Sequence, residues 1–149
     1  GFNQTVANYP NVKVVDETPG NWSPTETASL WQDLIQRYPN VVGGYFHSDD
    51  MALAASEVVN AAGMGEQVKI VGVDGLKNAC EAIIDGRLTA SVINPSGRIH
   101  GGAIWAGYFN KSGTDNAAGG LPKFIRTDGG PITKDTAPGY IWLHDNFMY

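Results

Sequence analysis

Short runs of Val and Ile alternate with longer amphipathic stretches along most of this chain, and that alternation is what most limits its fold. The runs are Val12–Val15, Val41–Phe46, Val68–Val73 and Thr89–Ile93. Each is nearly continuous in apolar character, which suits strands buried on both faces, as in a parallel sheet. Helical stretches lie between them. Pro24–Tyr38 is the best marked: Ser23 sits at the cap, Pro24 at the first helical position, and Glu26 at capping-box spacing. Ala28, Trp31, Ile35 and Tyr38 then recur at helical spacing, and Leu30 and Leu34 widen the stripe. Asp49–Ala62 stops at Gly63 and Lys77–Asp85 stops at Gly86. A glycine just past a helix end takes the left-handed conformation that closes the last turn. A further helix is expected over Ser96–Phe109, and Phe2–Tyr9 reads as the tail of another. Strand, helix, strand at this rhythm means βαβ units. The predicted fold is α/β, a three-layer sandwich with a parallel sheet flanked by helices on both faces.

Composition narrows the function classes. The 149 residues suffice for one domain with a real core. Fifteen acids against ten bases give a net charge of −5, the wrong sign for a nucleic-acid binder. No apolar run approaches the ~20 residues that cross a bilayer as a helix. The single cysteine, Cys80, excludes an internal disulfide framework and a Cys-based zinc site, and reads as a core filler. Residues 1–110 form one expected α/β unit. Residues 111–149 are expected to be a loop and tail returning to that unit or to a hinge beside it. In that tail, Lys123–Arg126 is a strand candidate within a turn-rich stretch. Trp142, Leu143, Phe147 and Met148 are apolar enough that docking is expected of them. The chain opens Gly1-Phe2-Asn3 with no methionine and no signal-peptide pattern, so it is expected to be cut from something longer.

In an open parallel sheet, ligands bind beyond the carboxyl ends of the strands. The first expected strand is followed by Asp16 through Trp22, the second by His47-Ser48-Asp49-Asp50, the third by Asp74-Gly75, and the fourth by Asn94-Pro95. The candidate binding set is Trp22, Ser48, Asp74 and Asn94. A carboxylate accepts from two hydroxyls at once, an amide supplies both a donor and an acceptor, and an indole packs on the C–H face of a sugar ring. That chemistry suits a polyhydroxylated ligand. The set has no basic cluster and no Gly-rich phosphate loop, which argues against a phosphorylated one.

Each position carries a structural alternative. Trp22 can be a loop aromatic over the core. Ser48 or Asp49 can be a helix N-cap, the preferred reading for Asp49. Asp74-Gly75 can be a simple turn, and Asn94 before Pro95 can start one. His47, His100 and His144 show no metal spacing.

Three segments resemble one known family. Tyr45 to Ala55 (YFHSDDMALAA) resembles the strand-then-helix segment N-D-x-M-A-L-G-A of bacterial sugar-binding proteins of ABC transporters, ribose-binding type. Lys69 to Gly75 (KIVGVDG) resembles their I-V-G-F/V-D-G strand, and Ala82 to Val92 (AIIDGRLTASV) their A-I-x-x-G-x-L-x-A-T-V segment. Order and spacing agree for all three. The resemblance implies a periplasmic-binding-protein-like lobe, the C-terminal one of two that close over a ligand, incomplete at its N-terminus. It implies that Trp22 stacks on a sugar, that Asp74 binds hydroxyls and that Asn94 supplies the amide near a hinge crossing. Ser48 stands where ribose-binding relatives have Asn, a departure that puts ribose itself in doubt.

The implied function is the solute-binding component of an ABC transporter, taking a sugar or polyol for a membrane permease. The location is periplasmic, or lipid-anchored outside a Gram-positive cell. The implied partners are that permease and a missing N-terminal lobe or a second copy of the chain. No enzyme activity, cofactor or metal is expected. The helix over Ser96–Phe109 would leave an apolar face without its partner. The alternative is the effector-binding domain of a lactose-repressor-type regulator, which shares the core and motifs. A third reading is an enzyme in which Asp49, Asp50 and Asp74 hold Mg²⁺ for phosphoryl chemistry.

Overall fold

The computed structural model describes residues 1–113, 127 and 129–147. In chain order the elements are α1 (Phe2–Val6), α2 (Pro24–Arg37), β1 (Gly43–Tyr45), α3 (Asp49–Ala61), β2 (Lys69–Val71), α4 (Lys77–Ile84), β3 (Ser91–Val92), α5 (Ser96–Ser112), β4 (Pro131–Ile132) and α6 (Ala137–Asn146). Strand β1 pairs in parallel with β2, Gly43 opposite Lys69 and Tyr45 opposite Val71. Parallel bridges from Val71 to Ala90 and from Asp74 to Ile93 carry the sheet on to β3. Antiparallel β4 closes that edge, with Ser91 opposite Ile132. The result is the expected α/β architecture, built on consecutive βαβ units.

Side-chain alternation along β1 sorts the two faces of the sheet. Gly44 and Phe46 point toward Trp31 of α2, and the Phe46 and Trp31 ring centroids lie 5.6 Å apart. Helices α2, α3, α4 and α6 pack in that order as a row. The core holds Val59, Ile70, Ile83 and Ile132, all fully buried. Tyr45 points to the opposite face, where Phe2 of α1 stacks on it at 4.7 Å.

The helix ends follow their local signals. Ser23 accepts the Glu26 N–H at 3.2 Å, as a cap should. The Glu26 carboxylate does not complete a capping box; it accepts from Asn21 Nδ2 at 2.8 Å. Helix α2 stops at Arg37 because Tyr38 precedes Pro39, and a residue before proline is driven out of the helical region. The same rule at Tyr9-Pro10 helps limit α1, expected to run to Tyr9 and in fact ended at Val6. Helix α5 runs past Phe109 to Ser112, closed by left-handed Gly113.

Three expectations need correction. Val12–Val15 does not form a strand: no ladder partner lies alongside it among the described residues, and Val12 is 54% exposed. A strand exists by pairing its backbone groups, so apolar pattern alone does not make one. Instead this stretch borders an open groove with Val6 and Tyr9. In the tail, Ala137–Asn146 forms a helix that the turn-rich pattern hid. Its docking is made by Ala137, Tyr140 and Ile141, whereas Trp142 and Phe147 stay exposed and pack on each other at 5.5 Å. The strand candidate Lys123–Arg126 and Met148 lie outside the described residues. Helix α5 buries none of its residues; Trp105, Tyr108 and Phe109 pack mainly on one another. No described helix is long and apolar enough to cross a membrane.

Candidate functional site

The carboxyl ends of β2 and β3 bring Asp74 and Asn94 together. The Asp74 N–H donates to the Val92 carbonyl at 2.9 Å, and the Asn94 N–H donates to the Asp74 carbonyl at 3.0 Å. Their backbones are therefore locked side by side, Asp74 half-buried and Asn94 exposed.

Asp74 holds a φ of +127°, a conformation that L residues rarely adopt. Trp22 holds a φ of +56° and Asn21 one of +51°. Among the described residues these are the non-glycine positions with positive φ, so two of the four candidates sit on strained backbone. Strain of about 1–3 kcal/mol per residue persists where surrounding structure enforces it, and such positions cluster at ligand sites. Trp22 is 70% exposed. It leaves the core to others and projects from the turn that Gly20 and Ser23 close at 2.9 Å. Its alternative role as a core cover is not the one adopted.

Ser48 is buried and caps α3, its Oγ accepting the Met51 N–H at 3.3 Å. The cap is thus Ser48 and not Asp49. Asp49 occupies the first helical position with its carboxylate fully buried. Oδ2 accepts the Gly75 N–H at 2.7 Å and the Leu76 N–H at 2.9 Å, and Oδ1 accepts the Ser91 hydroxyl at 2.7 Å. Burial pushes this carboxyl above its ordinary range, the three hydrogen bonds oppose the rise, and the charge of Asp74 adds to it. Gly72 packs so close to the Asp49 carboxylate that no side chain fits there.

Asp49 does not join Asp50 and Asp74 in a carboxylate cluster, because its oxygens face N–H and O–H donors. Among the described residues no group of three His, Cys, Asp or Glu side chains is placed to hold a metal ion. Lys77 turns away to pair with Asp145 of α6. Cys80 is buried in the core, its thiol pushed up to about 11 by burial. His47 is exposed and meets Tyr45 edge-on at 5.2 Å.

Two contributors were invisible in sequence. Ser91 reaches Asp49 across 42 residues, and His144 Nε2 lies 2.8 Å from the Gly75 carbonyl across 69. Neither contact has a local spacing to mark it.

The profile of the family described as periplasmic binding protein domain matches residues 1–113. The chain is 37% identical over 93 residues to the fructose import binding protein FruE of Bifidobacterium longum, covering 60% of this chain and 27% of that protein. It is 31% identical over 96 residues to the D-apiose import binding protein of Paraburkholderia graminis, covering 64% and 30%. Among solved structures, the periplasmic binding protein of the arabinose ABC transporter from Shewanella sp. ANA-3, bound to α- and β-L-arabinofuranose, matches with a TM-score of 0.84. The identity is 29%, over 95% of this chain and 47% of that one. The chain thus spans less than half the length of each of these relatives. With residues 1–113 inside the family match and the same α/β fold, the chain belongs to the periplasmic binding protein domain family.

Proposed function

We propose that this chain supplies one ligand-binding lobe of an ABC-transporter solute-binding protein, and that the ligand is a sugar or polyol. The observation that carries the reading is the pairing of Asp74 and Asn94 at the carboxyl edge of the sheet, with Asp74 held at a φ of +127°. Asp74 accepts from adjacent ligand hydroxyls, Asn94 both donates and accepts, and Trp22 stacks on the apolar ring face. Ser48, already accepting from Met51, keeps its O–H for donation. Relatives named as import binding proteins for fructose and D-apiose support transport over a repressor-type role.

On this reading the second lobe comes from another segment or another copy of the chain. The partner is a membrane permease, and the protein works outside the cytoplasm. Closure of two lobes makes contacts absent from the open state, and those contacts drive it. The test is calorimetric titration of the full-length protein with D-fructose, D-ribose, D-allose, L-arabinose and xylitol. Saturable binding of at least one supports the reading; no heat and no thermal stabilisation from any of them overturns it.

A further inference from the structure

Three consecutive peptide groups around Asp74 are pinned, and the last of them is held from two sides. The Asp74 N–H goes to Val92, the Asp74 carbonyl takes the Asn94 N–H, and the Gly75 N–H goes to Asp49. In the peptide joining Gly75 to Leu76, the N–H donates to Asp49 Oδ2 at 2.9 Å. The carbonyl of that peptide faces His144 Nε2 of α6 at 2.8 Å. A carbonyl oxygen only accepts, so Nε2 carries the proton in this contact. The alternative donor to this carbonyl is the Cys80 thiol at 4.0 Å, a weak one.

We propose that His144 is a positioning residue: through it, helix α6 holds the Asp74–Gly75 turn in the strained conformation that presents Asp74 to ligand. The inference rests on the proposed sugar-binding role of Asp74. Two further features place His144 where it must be. Lys77, at the start of α4, pairs with Asp145, the next residue along α6. Tyr140 and Ile141, one turn earlier, pack against the core. The turn itself is tight: a Cβ on Gly75, whose φ is +78°, would lie 2.7 Å from Ile93 Cδ1 and 2.8 Å from Ile132 Cδ1. A strained turn persists only while its surroundings over-determine it, and α6 supplies one of the constraints. The C-terminal segment then acts on affinity without touching the ligand.

The test compares His144→Phe, which keeps a planar ring but no donor, with His144→Gln, whose amide N–H still reaches a carbonyl. Both are made in the full-length protein. The first readout is amide hydrogen exchange at Gly75 and Leu76 without ligand; the second is affinity for whichever sugar of the panel wild type binds. The expected result for His144→Phe is exchange at those amides faster by about tenfold, affinity weaker by about five- to tenfold, and recovery of both in His144→Gln. Unchanged exchange at Gly75 and Leu76 in His144→Phe overturns the clamp, and changed exchange with unchanged affinity overturns its control of the site. Equal weakening in both variants overturns the hydrogen bond as the cause. If wild type binds no panel sugar, the sugar-binding reading falls, and the exchange rates alone decide whether α6 clamps the turn.

Discussion

Asp49 Oδ2 lies 2.7 Å from the Gly75 amide nitrogen, joining the first turn of α3 to the loop between β2 and α4. The same oxygen takes the Leu76 N–H, and Oδ1 takes the Ser91 hydroxyl at the start of β3. One buried side chain thus ties helix α3 to the loop that carries Asp74 and to strand β3. Removing it strands three donors. Asp49→Ala should lower the unfolding free energy by about 3 kcal/mol, the cost of buried donors left without partners. Asp49→Asn should cost under about 1.5 kcal/mol, since its carbonyl still accepts from the two amides and Ser91 can turn to accept its N–H. Urea unfolding of both variants checks this.

The charge state of Asp49 makes a separate prediction. Burial holds its native pKa above the ordinary 3.8. Between those two values the native state keeps a proton that the unfolded chain has lost, so wild-type stability from this group falls as pH rises through that window. Asp49→Asn has no such proton. The stability of Asp49→Asn relative to wild type should therefore rise with pH from about 4 and level off above the native value. Paired melting curves across that range report the difference, and a constant difference would show that Asp49 is not shifted upward.

Asp74 should trade stability against binding. Glycine tolerates positive φ without the Cβ clash, so Asp74→Gly should stabilise the fold by up to about 1 kcal/mol while abolishing measurable sugar binding. Chemical unfolding and calorimetry on one preparation read both quantities.

Trp22, exposed and away from the core, should behave differently from a packing aromatic. Trp22→Ala should change unfolding free energy by less than about 0.5 kcal/mol and weaken sugar affinity by about tenfold. A large loss of stability would mark it instead as a core cover.

Gly44 tests the packing of the sheet. A Cβ there would sit 2.5 Å from Trp31 Cζ2 and 3.0 Å from the Phe46 ring. Gly44→Ala should cost about 1–3 kcal/mol through overpacking, seen as a lower melting temperature.

The helices from α2 to α5 and the sheet edge were readable because their signals are local. Ser23-Pro24, Gly63, Gly86 and the Val-rich runs each act within a few residues. The failures have separate causes. Val12–Val15 has strand composition, but pairing is a tertiary event and no neighbour pairs with it among the described residues. Helix α6 was missed because Pro138 and Gly139 read as breakers, whereas proline near a helix start is tolerated. At the site, Asp74 and Asn94 were both read as lying beyond strand ends on one edge of the sheet, and there the Asn94 N–H does reach the Asp74 carbonyl. Asp49 was read as a cap because its partners, Gly75, Leu76 and Ser91, lie 26 to 42 residues away.

The most direct measurement is calorimetric titration of the full-length protein and its Asp74→Asn variant with the sugar panel. The account predicts saturable binding of at least one sugar by wild type, weakened by about tenfold or more in a variant that still melts cooperatively. Equal affinity in wild type and Asp74→Asn would contradict it.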